Sequence, residues 1–400
     1  MPRRRLLVFR RFVRLTALIL ALSGELAAAA PQRPTDDAFV LAIVPAGRPG
    51  GSPDLRSAKT DLARNPTDLG LAVRVARLAI EAGRASADPR RYGQAQAALA
   101  PWWNEANPPE EARVLRAVIR QALHDFQGAL ADLDAILNQN PGNPQARLTR
   151  AFVRLVVGDA AGAAADCRDL PRAIGPLPAA VCRARVEALT GAAREGYVSL
   201  AGALDSDSRP DDTTRRFALA VLADIAVGLG RSRDADLFFA DAAALGAADV
   251  PSLAGAADHL LETGRPAEVL KLLDGKGEAD VLMLRRAIAA KRVGDARLAG
   301  WAAVLNERFA AAKASGVRLH LREEARFRLE IEGDAKGALS LALENWKVQK
   351  ELADARLVLE SAIAAGEPAA AEDVVGFIGG TGLVDVRVTP LLKRFEKKSS

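Results

Sequence analysis

Between Glu110 and Pro171 the pattern of small, apolar and charged positions repeats itself. Shifted by 34 residues, Ala112, Arg113, Arg116, Ala117, Arg120, Asp125, Gly128, Ala129, Ala131 and Asp132 fall on Ala146, Arg147, Arg150, Ala151, Arg154, Asp159, Gly162, Ala163, Ala165 and Asp166. These are ten identities in 26 positions without a gap. A period of this length predicts a helix–turn–helix unit that cannot bury its apolar face alone and must stack on copies of itself. The 400-residue length, too long for one ordinary globular core, is then no obstacle.

The turn inside each unit can be followed along the chain. A glycine before a polar or small residue recurs at Gly83, Gly158, Gly191, Gly230, Gly264, Gly294, Gly333 and Gly366, with His124 in the same place in the second unit. Glycine is expected because a helix ends most readily in a left-handed residue without a Cβ. Seven residues before the turn stands Ala76, Ala117, Ala151, Ala184, Ala223, Ala257 or Ala287. Five residues after it stands Ala129, Ala163, Gly196, Ala235, Ala299, Ala338 or Ala371. Small side chains at these two points predict close approach of the paired helices. Arg326 and Leu359 break the first rule, and Val269 breaks the second. Ala85–Arg91 reads as an insertion in the first unit.

With these residues in view, and most clearly over Asp125-Phe126, Ala129, Leu133, Ile136-Leu137 and Asn140-Pro141, the chain resembles the tetratricopeptide repeat family, in particular its exported bacterial members. The resemblance covers about residues 58–378 in roughly nine units. It implies an all-α fold of antiparallel helix pairs stacked into a right-handed superhelical solenoid. It further implies a concave surface, lined mainly by the first helices, that holds an extended or helical peptide.

The ends read differently. Residues 1–29 have the form of an export signal: a basic stretch from Arg3 to Arg14, the short apolar run Leu15–Ser23, and small residues at Ala27–Ala30 for cleavage near Ala28–Ala30. The apolar run is about half of the roughly 20 residues that span a bilayer, so no membrane span is expected after cleavage. Residues 30–57 read as a tether in which Phe39–Val44 is apolar enough to pack as an extended segment. Asp54–Arg64 has helical spacing. Residues 379–400 read as a cap and polar tail, with the Gly379–Gly382 cluster ending the last regular helix and Leu391–Lys397 forming a short amphipathic helix.

Charge then changes one conclusion. The chain carries a formal net charge of +5, which suggests nucleic acid as a partner. Six of its arginines and Glu25 lie in the signal, and without residues 1–29 the net charge is zero. The expected location is the periplasm or the exterior, and nucleic-acid binding is not expected.

Three groups of side chains carry candidate chemistry. Arg113, Arg116 and Arg120 share a helical face, and Arg147, Arg150 and Arg154 repeat it. Arg183 and Arg286 occupy the position of Arg116 in later units. These arginines either clamp carboxylates of a peptide or an acidic glycan in the groove, or pair within the stack with Asp125, Asp132, Asp159, Asp166 or Glu187. Cys167 and Cys182 are the two cysteines of the chain. They fall on neighbouring helices and would pair in an oxidising compartment. His320 and Glu324 are four apart in a charged helix start, too few ligands for a metal. Trp102, Trp103, Trp301 and Trp346 read as seam residues. No spacing suggests a catalytic constellation, and no cofactor is implied. The expected function is a non-catalytic, exported scaffold that binds a segment of another envelope protein. An acidic polysaccharide is the alternative ligand.

Overall fold

The computed structural model describes residues 53–168, 170, 174–207, 211–246, 249–314, 316 and 320–396. The signal assigned to 1–29, the tether as far as Ser52, the apolar segment Phe39–Val44 and the tail Lys397–Ser400 lie outside these residues. Among the described residues there are 21 α-helices and no strand.

Helix α1 (Pro53–Arg64) leads into nine helix pairs. The pairs are α2 (Leu69–Ser86) with α3 (Pro89–Ala98), the latter followed by the one-turn α4 (Ala100–Trp103); α5 (Glu110–Ala122) with α6 (Phe126–Gln139); and α7 (Pro144–Val156) with α8 (Ala160–Arg168). Then follow α9 (Pro176–Leu189) with α10 (Ala193–Ser206), α11 (Asp212–Gly228) with α12 (Ser232–Ala244), and α13 (Val250–Glu262) with α14 (Pro266–Leu272). The last three are α15 (Asp280–Val293) with α16 (Leu298–Ala314), α17 (Leu321–Phe327) with α18 (Ala335–Trp346), and α19 (Leu352–Ala365) with α20 (Glu372–Thr381). Helix α21 (Thr389–Glu396) follows. Helix formation from residue 53 carries the regular structure into the last part of the expected tether.

The turn between paired helices is built by one local device. His124 has φ 63°, and Gly158, Gly191, Gly230, Gly264, Gly294, Gly333 and Gly366 have φ between 72° and 86°. At Asp125, Asp159 and Asp334 the residue after the left-handed one caps the second helix. Their carboxylates accept from the N–H groups of Gly128, Gly162 and Gly337 at 2.9, 2.8 and 2.9 Å. A Cβ on those three glycines would come within 2.0–2.3 Å of Oδ2 of the capping carboxylate, so the cap requires glycine at each of them.

The close-approach rule holds at most positions, and three departures have a visible cause. The seven alanines before the turn are fully buried, as are Ala129, Ala163, Ala235, Ala338 and Ala371 after it. Gly83 does not end its helix: α2 runs on to Ser86, and the left-handed residue is Ala87, φ 49°. Gly83 instead admits the ring of Tyr92, which a Cβ would meet at 3.1 Å. Ala299 is exposed, because α16 begins after an extra turn and presents Ala302 and Leu305 to the core in its place. Arg326 is displaced from the small position by a π-helical turn at Arg328–Glu332. One added residue puts Ala325, fully buried, at the contact.

The core is a run of apolar clusters shared by successive units. Leu133 and Ile136 of α6, for example, pack with Val153 of α7. Each such fully buried aliphatic side chain contributes roughly 2 kcal/mol by removal from water. Cys167 on α8 and Cys182 on α9 form a disulfide that staples the third unit to the fourth across 15 residues.

The stack also returns onto itself. The Lys350 N–H, just before α19, donates to the Val156 carbonyl at the end of α7 at 2.7 Å. The Val386 N–H, after α20, donates to the Gly228 carbonyl at 2.9 Å. The Gly382 carbonyl lies so close to Gly191 that a Cβ there would come to 2.5 Å. Arg326 of α17 pairs with Asp258 of α13 at 2.7 Å, and Arg356 of α19 pairs with Glu262. Helix α2 touches α13 as well, and Ala87 packs on the cluster around that helix. The last two units therefore seat on the turn edge and first-helix ends of units three to six.

Candidate interaction surface

The two arginine columns stand between the helices of their own units. Arg116 is 5% exposed and grips Asp132 with Nε and Nη2 at 2.9 and 2.6 Å. Its Nη1 donates to the carbonyls of Trp103 and Glu105 at 2.7 and 2.9 Å. Arg120 adds a third bond to Asp132 at 2.7 Å and one to the Gly128 carbonyl. One period later Arg150 grips Asp166 in the same two-pronged way, at 2.9 and 2.6 Å, and also reaches Asp134 at 2.7 Å. Arg154 repeats the bonds of Arg120, to Asp166 and the Gly162 carbonyl. Arg113 donates to Ala106 and Asn107, and Arg147 to the Pro141 carbonyl. This is the intrastack pairing, in which each second helix supplies the acid.

Later units lose that acid. The residue eight after the turn is Asp132 or Asp166 in units two and three, but Ser199 in unit four and Ala302 in unit seven. In unit four, Glu187 takes the position of Arg154 and stands beside Arg183. Burial pushes the Glu187 carboxyl up, and the charge of Arg183 opposes the rise. In unit seven, Arg286 is 8% exposed and, among the described residues, bonds only the Leu273 carbonyl, through Nε at 3.1 Å and Nη2 at 2.7 Å.

A second polar system lies where the stack closes, and no spacing rule in the sequence points to it. Arg322 of α17 grips Asp354 at 2.5 and 2.7 Å and Glu351 at 2.6 Å. Asn345 donates to the same Asp354 at 2.7 Å. Burial pushes both acids up, but the guanidiniums of Arg322 and Arg185 more than reverse this at Glu351 and hold it below the usual range. Asp258 accepts from Arg285 and Arg326 at 2.6 and 2.7 Å. Burial raises its carboxyl, yet the two cations bring it down to about 2. His124, at the second turn, feels this system across the seam: burial lowers its pKa first, and Arg322 adds to the lowering.

The other candidate residues are placed as follows. His320 and Glu324 line one cavity of about 270 Å³ with Phe309 and Arg328, and Arg328 is held by Glu324 and Asp334 at 3.2 and 3.1 Å. Among the described residues no group of three or more His, Cys, Asp or Glu could hold a metal. Trp346 is buried, edge-on to Phe377 at 5.2 Å. Trp102 and Trp103 are half-buried, with Arg120 above the latter ring at 5.8 Å.

One exposed aromatic cluster crosses the first helices of three consecutive units. Arg185 of α9 lies over Phe152 of α7 at 5.2 Å, and Phe152 meets Phe217 of α11 edge-on at 5.9 Å. Phe217 is 41% exposed, and Arg185 keeps a third of its side-chain surface in solvent. Glu351 approaches Arg185 to 3.8 Å.

The paired helices, their turn device and their stacking make this a tetratricopeptide-like solenoid. No family model matches the chain, and no curated protein does. Among solved structures, the chain is similar to the human IFIT1 dimer with m7Gppp-AAAA, at 14% identity and a TM-score of 0.43, over 82% of this chain and 84% of that one. It is also similar to yeast Tom70, at 10% identity and a TM-score of 0.40, over 86% and 85% of the two chains. The P58(IPK) TPR domain is a further neighbour, at 16% identity and a TM-score of 0.22, over 87% and 99%.

Proposed function

We propose that this protein is an exported, non-catalytic scaffold that holds a segment of another envelope protein against the first helices of units three to five. The observation that carries this reading is the cluster of Phe152, Arg185 and Phe217. It offers an exposed aromatic edge beside a guanidinium only loosely engaged by Glu351. An apolar side chain packed on Phe217, with a carboxylate next to it to displace Glu351 from Arg185, is the chemistry the cluster fits. Export is supported by the basic–apolar–small order of the N-terminus and by the disulfide, which persists in oxidising compartments. No described helix is long and apolar enough to cross a membrane.

The test is site-specific photo-cross-linking in cells. The probe is placed at Phe217 and, as a control, at Val198 on α10, which is 62% exposed. One dominant protein captured from position 217, absent from position 198 and lost on Arg185→Glu, is the expected result. Saccharide captured in a salt-sensitive way would replace the peptide ligand with an acidic glycan. Equal capture from both positions would remove the cluster as a binding surface.

A further inference from the structure

We propose that the cavity beside Arg286 binds a small carboxylate at Nη1 of this guanidinium, the donor with which Arg150 reaches Asp134 in unit three. The internal repeat supplies the comparison. Arg116, Arg150 and Arg286 all stand directly before the small alanine of a first helix. Arg116 and Arg150 each receive a two-pronged carboxylate from the second helix of their own unit. In unit seven that helix starts late, so Ala302 takes the small contact position and Leu305 stands where Asp132 and Asp166 stand, and among the described residues no carboxylate bonds Arg286. Beside this guanidinium a cavity of about 300 Å³ opens between the α14–α15 loop and the start of α16.

The cavity sets one unspent guanidinium donor beside an apolar wall. Nε and Nη2 of Arg286 are both spent on the Leu273 carbonyl. Nη1 has no acceptor among the described residues and is not sealed from solvent, so it is the donor left for a ligand. Gly275 and Gly277, with φ of 65° and 92°, bring bare backbone to the rim. The Trp301 ring, with Arg297 above it at 5.1 Å, supplies a flat apolar wall. Asp274 and Glu278 also line the space, but neither bonds Arg286. Burial pushes the Arg286 guanidinium down, and these two acids only partly offset it. A ligand carboxylate on Nη1 would give Arg286 the charged partner that Arg116 and Arg150 find within the protein. The volume suits a group the size of one amino-acid side chain, carried either by a free acid or by a chain end.

The experiment uses the intact protein labelled with ¹⁵N-arginine and observes guanidinium resonances during titration. The probes are butyrate, its neutral isostere butyramide, and trialanine with a free or an amidated C-terminus. Saturable shifts of the Arg286 resonance with butyrate and not with butyramide, weakened about tenfold or more by Arg286→Met, are expected from loss of a charge-assisted bond. Tighter binding of free than of amidated trialanine assigns the carboxylate to a chain end, and butyrate alone assigns it to a free acid. If Arg286→Met does not fold, Trp301→Ala takes its place and must weaken butyrate binding in the wild-type background. No saturable shift with either acid, or equal shifts with butyramide, overturns the proposal.

Discussion

The Arg387 Nη1 donates to Asp224 at 3.1 Å across 163 residues of chain. The same guanidinium clasps Asp385 at 2.9 and 2.6 Å, and Asp385 is 4% exposed. The segment after α20 is thus pinned to the end of α11, beside the bond from the Val386 N–H to the Gly228 carbonyl. A one-dimensional stack in which each unit meets only its neighbours would have no such contact. Here a nonlocal polar seam ties the end of the chain to its middle.

Arg387→Ala should loosen that seam locally. Removing the cation leaves the buried Asp385 with the backbone N–H of residue 387 but no charged partner, a change that costs about 2 kcal/mol. Amide exchange at Val386 and Val388 should speed up about 30-fold, with exchange in α5 to α8 unchanged. Hydrogen-exchange mass spectrometry reads both, and unaltered protection over residues 384–396 would show that the pair does not hold the segment.

Asp258 should set the acid limit of the closed form. Burial works against its charge, but Arg285 and Arg326 hold its carboxyl at about 2, below the ordinary 3.8. A folded value below the unfolded one stabilises the protein fully above about pH 4, and this stabilisation is lost as pH falls through 2. The amount is about 2 kcal/mol at most, since Asp258 keeps 27% of its side-chain surface in water. Asp258→Asn should lower the urea midpoint at pH 7 and flatten its decline between pH 4 and 2. A parallel decline in both proteins would place the acid sensitivity elsewhere.

The buried pair Arg116–Asp132 should be costly to break and cheap to replace. Both side chains are 7% exposed. Asp132→Ala strands the buried Arg116 and costs about 3 kcal/mol, whereas Arg116→Met with Asp132→Leu should come within about 1 kcal/mol of the parent. Chemical unfolding of the single and double variants measures this. Equal losses in both would mean that volume, not charge, governs the position.

The sequence alone determined everything set by spacing along one or two helices. The 34-residue period, the left-handed turn residues from His124 to Gly366, the small contact positions and the pairing of Cys167 with Cys182 are local or nearest-neighbour features, and a repeat prints them in the chain over and over. The exceptions at Gly83, Ala299 and Arg326 were already partly local, since each marks a helix that overruns its turn, starts late or gains one residue. Only the tertiary structure decided which way the arginines face: a face shared by Arg116 and Arg120 is visible in the spacing, but its direction depends on where Asp132 sits on the partner helix. Only it could bring Arg387 to Asp224, Arg326 to Asp258 and the Lys350 N–H to Val156. Those contacts depend on the small rotation added by each unit, summed over the whole stack, and no window of sequence carries that sum.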